Sequence, residues 1–582
     1  MKLSKKDYIL ATTFRHLLFL QILSSITGLI GPFIDGIVIS NFLGSVSMAA
    51  FGIASPIPIV LAAISGIFNS GSQALAGRYM GRGQTQELDR LMSLVVLATC
   101  GVGFVLMLIM LFASESVAVL FGAQGVIVGD CSDYIRALSF AVIPMLLTPV
   151  LVGFLQIDQD GKRAVVAALI MSVLNAGLDI LTAVLKLGMF GMGLATAVSQ
   201  IIAVVYMMLH FRSKESRLHF DFRGLDFGAL GSVMSTGLPS AVYHFCNVLR
   251  ISALNRILVS RCDTDTVAAF SIQNSLAPIV MGCIIGTGIT TLLVCSVIAG
   301  EENRRSLRKT LAYIMRLGLS IAIVVAAVVF VFARRPLAML FCDADSPELL
   351  GLVARVLRFF AVSIPFTMLN MILIFYYQSM RKNGLSNFIC IFDNAVFLIS
   401  TAYILSGIIG SDGVWVSYVV AECLILITLT VIVGIKLHKF PRSLHDFMLL
   451  PDDFGVDSAH RMNVTATCLE EVTGISDEII HFCESLGIDS KRAMAAGLCM
   501  EEMAVIALEN NKNKTMPYVD IYLTYKNDEL KIRLRDNGVP FDSSTLHPSE
   551  DAENLGMTIV TRIAKDVSYS SVLSLNVFSL VL

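Results

Sequence analysis

The chain is poor in charge. Only 15% of its 582 residues are Asp, Glu, Lys or Arg, against about 25% in a soluble globular domain, and this deficit excludes a protein that faces water on all sides. The two signs nearly cancel, to a net charge of −2, so no excess of positive charge points to nucleic acid. The 12 cysteines form no C-x-x-C pair. Scattered mostly through apolar segments, they read as small packing side chains and not as metal ligands. The sequence G-x-x-x-x-G-K-[ST] is missing, which leaves no P-loop of the kind that powers transport by ATP hydrolysis. The opening MKLSKKDY runs into an apolar stretch with no small-residue cleavage site, so no removable signal peptide is read there.

What is present is apolar mass in long runs. Hydrophobic residues make up 55% of the chain, and mean hydropathy is +0.75. Residues 94–112 and 317–333 are the plainest runs, each long enough to cross a hydrocarbon core of about 30 Å. Twelve spans are expected, near 15–40, 50–77, 91–113, 134–156, 164–186, 190–211, 235–260, 266–298, 312–333, 357–379, 386–408 and 413–436.

Lys and Arg gather on one side of this pattern. Lys2, Lys5 and Lys6 precede the first span, and Arg78, Arg82 and Arg90 follow the second. Lys162 and Arg163 follow the fourth, and Arg212, Lys214, Arg217 and Arg223 the sixth. Arg304, Arg305, Arg308 and Lys309 follow the eighth, and Arg381 and Lys382 the tenth. The other side holds little beyond Arg136, Lys186, Arg261, Arg334 and Arg335. The positive-inside rule then places both termini in the cytoplasm.

The membrane part repeats. Ala49-Ala50-Phe51 returns as Ala268-Ala269-Phe270, Leu120-Phe121 as Leu340-Phe341, and Pro144 falls opposite Pro365, all about 220 residues apart. A unit of six spans brings the second half back in the same orientation, with a substrate cavity expected between the halves. The expected organisation is a six-helix lobe over 1–226, a second over 227–440, a linker over 441–459 and a cytosolic domain over 460–582.

A carboxylate inside a bilayer costs several kcal/mol and is a functional candidate by default. Asp35 stands mid-span in PFIDGIVIS. Asp179 stands in SVLNAGLDILTAV, with Asn175 one helical turn earlier on the same face. Such a group carries a proton when neutral and binds a sodium ion when ionised, the two chemistries of ion-driven export. The second half offers Asp393 and Glu422, with His244, Asn247 and Arg250 in span seven, where Arg250 is expected to neutralise a buried acid. Met145, Met189, Met192, Met207 and Met208 read as packing.

Residues 10–440 resemble the multidrug and toxic compound extrusion (MATE) family. The features that carry the resemblance are PFIDGIVISNFLG in span one, GSQALAGRYMGRGQ after span two, Asn175 and Asp179 in span five, and FGMGLATAVSQ opening span six. The DinF-like branch is the nearest in pattern. There the matching aspartates line a cavity in the first lobe and are linked to proton or sodium coupling, which implies antiport of an organic, cationic compound against H⁺ or Na⁺. Two departures stand out: the family's span-one proline is Leu20 here, and the Asn three residues before the aspartate is Pro32. The span-seven glutamate of sodium-coupled members is also replaced, with Asn247 nearest its place.

Beyond residue 440 the composition changes. HKFPRSLHDFMLLPDDFG reads as a linker; ISDEIIHFCESLG and SKRAMAAGLCMEEMAVIALENN have helical spacing. VDIYLTY and LKIRLRD alternate with period two around Lys526-Asn527-Asp528, the signature of a hairpin. With LGMTIVTRIAKD helical and two closing strands, an α+β sandwich follows. This pattern resembles the GHKL ATPases, in particular the anti-sigma-factor serine kinases. Glu501-Glu502 is similar to the N box, with Glu502 in the place of its base, and RDNGVPFD to the first glycine box. The resemblance implies that Asp536 accepts from an adenine amino group, that Gly538 lets the backbone approach the base, and that Gly556 lies near the phosphates of ATP or ADP. The family's magnesium-binding Asn is Ile506 here, and an apolar side chain cannot ligate Mg²⁺; the lid's second glycine is Thr558. Kinase activity is therefore not expected, and Asn510 and Asn511 replace the missing ligand only in a shifted helix register.

The sequence thus reads as an all-α polytopic membrane protein of twelve helices with a GHKL-type domain: an ion-coupled exporter whose tail senses nucleotide or binds a partner such as an anti-anti-sigma (STAS-type) protein. The rival readings are a flippase for lipid-linked precursors and a membrane-tethered serine kinase. No metal site beyond the coupling ion is expected.

Overall fold

In the computed structural model, the described residues are 5–582 apart from 29, 215, 262, 341–346, 452, 453, 457, 510, 512–518, 527, 537, 539–554, 573 and 574. The membrane part is laid out as helical rods, numbered here as spans. Span 1 is described over Lys5–Gly28 and Ile30–Val38; span 2 is Pro56–Arg82, span 3 Thr85–Phe112, and span 4 Ile127–Leu138 continuing into Val142–Ile157. Spans 5 and 6 are Gly161–Val184 and Gly188–Met208. In the second lobe spans 7 to 10 are Phe227–Arg261, Thr264–Gly300, Arg304–Phe332 and Pro347–Ser379. Span 11 joins Asn383–Ile391 to Leu398–Ile409 through a π-helical turn at Phe392–Phe397, and span 12 is Ser411–Leu437. Ten helices among the described residues are long and apolar enough to cross a membrane. Spans 1 and 7 are not among the ten; span 7 has 35 residues but is interrupted by His244, Asn247, Arg250 and Arg256.

Local chemistry sets several ends. Gly83, at φ +75°, closes span 2 in the left-handed conformation and returns its N–H to Met80 and Tyr79. Asp160 caps span 5 by accepting from the Arg163 N–H, and Asn303 caps span 9 by accepting from Ser306. Pro32 stands within the Ile30–Val38 stretch of span 1, shortly before Asp35. The Pro32 side chain lies outside the described residues. Ser172 of span 5 donates to the Thr27 carbonyl of span 1, 3.1 Å away.

The two lobes meet along the half of each span nearest the C-terminal domain, called here the tail side. Ser70 of span 2 and Ser240 of span 7 are 2.7 Å apart, and the Gln378 amide of span 10 donates to Ser70 Oγ and to the Thr236 carbonyl. Arg78 donates to the Ser379 carbonyl at 2.7 Å. Glycine makes the approach close: a Cβ on Gly81 would lie 2.1 Å from the Val297 carbonyl oxygen, and one on Gly300 2.4 Å from that of Arg78. Met189, Met192 and Met207 are buried in the packing of the first lobe.

The tail domain is a five-stranded antiparallel sheet of order β1-β2-β3-β5-β4, with β1 Arg461–Ala466, β2 Val519–Lys526, β3 Glu529–Asp536, β4 Asp566–Val572 and β5 Leu575–Val581. Helices Glu470–Ser485, Ser490–Glu509 and Leu555–Ile563 accompany it, and Ile479, Met500, Met503, Ile521, Ile532, Leu534, Val560 and Phe578 form the core. The β2–β3 hairpin pairs Lys526 with Glu529, as the alternating pattern requires. The segment read as a linker is more ordered than that word implies. A short helix, Leu444–Met448, is closed by a Ser443–Asp446 capping box, and its Met448 and Phe447 carbonyls accept from the Tyr376 and Tyr377 hydroxyls of span 10. Met448 is buried in the core of the membrane part, because the linker's apolar residues would otherwise face water.

Candidate functional site

Helical spacing puts Asn175 and Asp179 on one face of span 5, and packing brings Asp35 of span 1 to the same point. The Asn175 amide donates to Asp35 Oδ1 at 2.5 Å and to Asp179 Oδ2 at 2.9 Å. Ser199 of span 6 donates to the Asn175 carbonyl oxygen at 3.3 Å, which fixes which end of the amide faces the acids. All three are buried, Asp179 completely, and Asp179 Oδ1 has no hydrogen-bond partner. Two carboxylates therefore share one neutral donor group, with no Lys, Arg or His bonded to either among the described residues. Ser199 was not singled out in the sequence, although it lies within the FGMGLATAVSQ run; a serine in an apolar helix gives no signal until its neighbours are known.

The second lobe holds its own polar chamber. The π-helical turn of span 11 carries Asp393 and Asn394 inward. They line a cavity of about 40 Å³ together with Arg250, Gln273, Thr367, Asn370, Tyr418 and Glu422. That is space for about three water molecules at about 10–15 Å³ each, and too little for an organic compound. Glu422 accepts from Thr367 Oγ1 and Asn370 Nδ2, both at 2.5 Å. The ion pair expected of Arg250 is not what the structure shows: its guanidinium donates to Asn247 Oδ1 at 2.5 Å and to Asn394 Oδ1 at 3.4 Å. Two of its donors go to amide oxygens one helical turn away and on span 11, Nε is left without a hydrogen-bond partner, and the group faces the same cavity as Asp393 and Glu422. His244 lies apart, near span 2, where a Cβ on Gly66 would come 3.8 Å from its ring. Thr367 and Asn370 were also invisible beforehand, as polar residues with no spacing pattern.

In the tail, Asp536 ends β3. Its Oδ1 accepts from Asn511 Nδ2 at 3.1 Å, Asn576 Nδ2 at 2.8 Å and the Gly538 N–H at 2.7 Å. The Asn511 side chain fills the space beside Gly538, where a Cβ would lie 2.2 Å from its Oδ1. Asn511 is thus committed to Asp536, and Asn510 lies outside the described residues. Ile506 packs against the domain core, one turn beyond the half-buried Glu502, and Glu501 accepts from Thr473 at 3.2 Å. Gly556 falls in the first turn of helix Leu555–Ile563, and 539–554 before it lie outside the described residues.

Two bundles of membrane helices around buried acids, followed by an α+β domain of five antiparallel strands and three helices, define a multi-pass transporter fused to an ATPase-like module. The MatE family model matches residues 21–181 and 239–404, more than half of the chain, and the chain belongs to that family. Residues 465–580 match the histidine kinase-like ATPase domain. Among curated relatives, "Probable multidrug resistance protein YoeA" of Bacillus subtilis is 22% identical over 338 residues, covering 56% of this chain and 72% of that protein. The multidrug export protein MepA of Staphylococcus aureus (strain MSSA476) is 21% identical over 422 residues, covering 71% and 90%. A solved multidrug resistance MATE transporter of the MOP superfamily, in an outward-facing conformation, shares the fold at TM-score 0.68 and 23% identity over 74% of this chain and 97% of that one.

Proposed function

We propose that the protein is an ion-coupled antiporter that exports organic, cationic compounds, with Asp35, Asn175 and Asp179 holding the coupling ion. The observation that carries this reading is the single amide shared by two buried carboxylates. One neutral amide cannot compensate two negative charges out of water, where an uncompensated ion costs several kcal/mol. The missing positive charge is best supplied by a mobile cation, H⁺ or Na⁺, and the unpartnered Asp179 Oδ1 is the acceptor left for it. Loading and release of that cation change the charge between spans 1 and 5, and with it the cost of exposing the site to either side. An organic cation entering the first lobe competes for the same negative charge, which is what antiport requires.

The basic loops on the tail side support a cytosolic tail, and the ATPase-like module then sits where nucleotides and anti-anti-sigma-type proteins are found. It acts in this reading as a sensing or docking domain, since Ile506 removes the oxygen that would hold Mg²⁺.

Ion-driven efflux in everted vesicles tests the assignment. Asp35→Asn and Asp179→Asn are each expected to abolish it while the protein still folds and inserts. Full activity in both variants would remove the coupling role from these residues.

A further inference from the structure

One face of the tail sheet carries its own helices, and the other is turned toward the membrane part. Strand alternation sorts the residues: Leu530, Ile532 and Leu534 go into the domain core, while Arg533 and Arg535 point the opposite way. Arg535 makes an ion pair with Glu301, the residue following span 8, and both side chains are largely buried, at 12% and 4% exposure. Lys526 reaches Glu302 at 3.7 Å, and Arg304 donates to the Pro451 carbonyl at 3.3 Å. Val577 of β5, paired with Arg535, is buried in the core of the membrane part. Burial at this junction lowers the pKa of the Arg533 guanidinium, with Glu301 opposing the shift. These contacts all go to the second lobe. The first lobe is touched at the end of span 2, where a Cβ on Gly83 would meet Ser568 Oγ of β4 at 3.4 Å.

The sheet therefore rests on both lobes at once, over the point where spans 2 and 8 are in closest contact. Below it, a Cβ on Gly77 would lie 2.7 Å from Ser296 Cβ, and one on Gly81 2.1 Å from the Val297 carbonyl oxygen. Alternating access by rocking one lobe against the other has to part these helices when the tail side opens. A hydrogen-bonded sheet cannot stretch to follow both. Its hold on the second lobe is charged and buried, whereas the described contact with the first is the close approach of Ser568 to Gly83, so Gly83 is where it lets go.

We infer that the bare face of the tail sheet is an intramolecular clamp that keeps the two lobes closed on the tail side. This rests on the exporter reading only in assuming that the lobes rock; it goes beyond that reading in giving the ATPase-like domain a mechanical role.

The test measures the gap itself, without substrate or ion. Spin labels on Gln84→Cys and Arg305→Cys, both exposed, report the span 2 to span 8 separation in the full-length protein, with accessible native cysteines replaced by serine. The parent is expected to give a single short distance. Glu301→Arg is expected to add a longer one, at least several-fold more populated than in the parent, and the charge-swapped pair Glu301→Arg with Arg535→Glu to return the short distance. A protease site placed within 452–457, cut after folding and followed by a high-salt wash that removes the tail fragment, leaves Glu301 and Arg535 unmutated and is expected to give the longer distance too. An unchanged distribution once the fragment has been washed away overturns the clamp, as does a charge swap that leaves Glu301→Arg unrescued. Loss of efflux in the Asp179→Asn protein leaves both readouts untouched, so the two ideas fail separately.

Discussion

Gly237→Ala is the most demanding test of how the lobes close. Spans 2 and 7 approach one another backbone to backbone: a Cβ on Gly237 would stand 1.9 Å from the Ile67 carbonyl oxygen, and one on Gly71 2.1 Å from that of Val233. Ordinary contact begins at 3.4 Å, so the alanine methyl asks for a retreat of 3.4 − 1.9 = 1.5 Å. The opposing atom is main chain within a helix and cannot rotate aside. Overpacking of this kind costs about 1–3 kcal/mol. That cost falls on the state in which the helices touch and vanishes once they part, so the closed population should drop by about 5- to 150-fold relative to the open one. The Gln84–Arg305 spin-label pair reads this as growth of the longer distance, and Gly71→Ala should act in the same direction. Gly101→Ala is the control, since nothing lies within 4 Å of the position its Cβ would take. If Gly237→Ala folds and leaves the distance distribution as it was, the close glycine contacts do not set the stability of the closed state.

The remaining predictions concern the tail and its attachment. Titration calorimetry of the full-length protein with ATP should show weak binding that Mg²⁺ does not strengthen; tight, Mg²⁺-dependent binding would show that Ile506 is not the obstacle inferred. Lys439, with help from the Arg442 N–H, holds the Asp446 carboxyl well below the ordinary carboxylate value, which is about 4. A depressed carboxylate contributes stability that is present above its unfolded value and lost as pH falls through its folded one. The docked linker should thus survive acidification past the usual carboxylate range and loosen only in stronger acid, while Asp446→Asn loosens it already at neutral pH. Tryptic cleavage after Lys439 and Arg442 reads this out, and equal cleavage of variant and parent at neutral pH would refute it.

The amino-acid order alone determined the elements of this protein, because their signals are local. A run of about 20 apolar residues matches the thickness of a bilayer wherever it stands, and a spacing of four puts Asn175 and Asp179 on one helical face whatever surrounds them. The period-two alternation of VDIYLTY and LKIRLRD likewise yielded the β2–β3 hairpin. The partners were another matter. That Asp35, 140 residues from Asn175, shares its amide is a fact of packing, as are the Ser199 hydroxyl behind that amide and the Thr367 and Asn370 donors on Glu422. Arg250 shows the limit most directly: its charge called for an acid, and the fold gave it Asn247 and Asn394. The segment read as a linker where the composition changes is docked through Met448. Which lobe the tail touches was decided in three dimensions only, since one face of a sheet becomes an interface through the surface it meets, and Arg535 and Glu301 have nothing in their local sequence to announce each other.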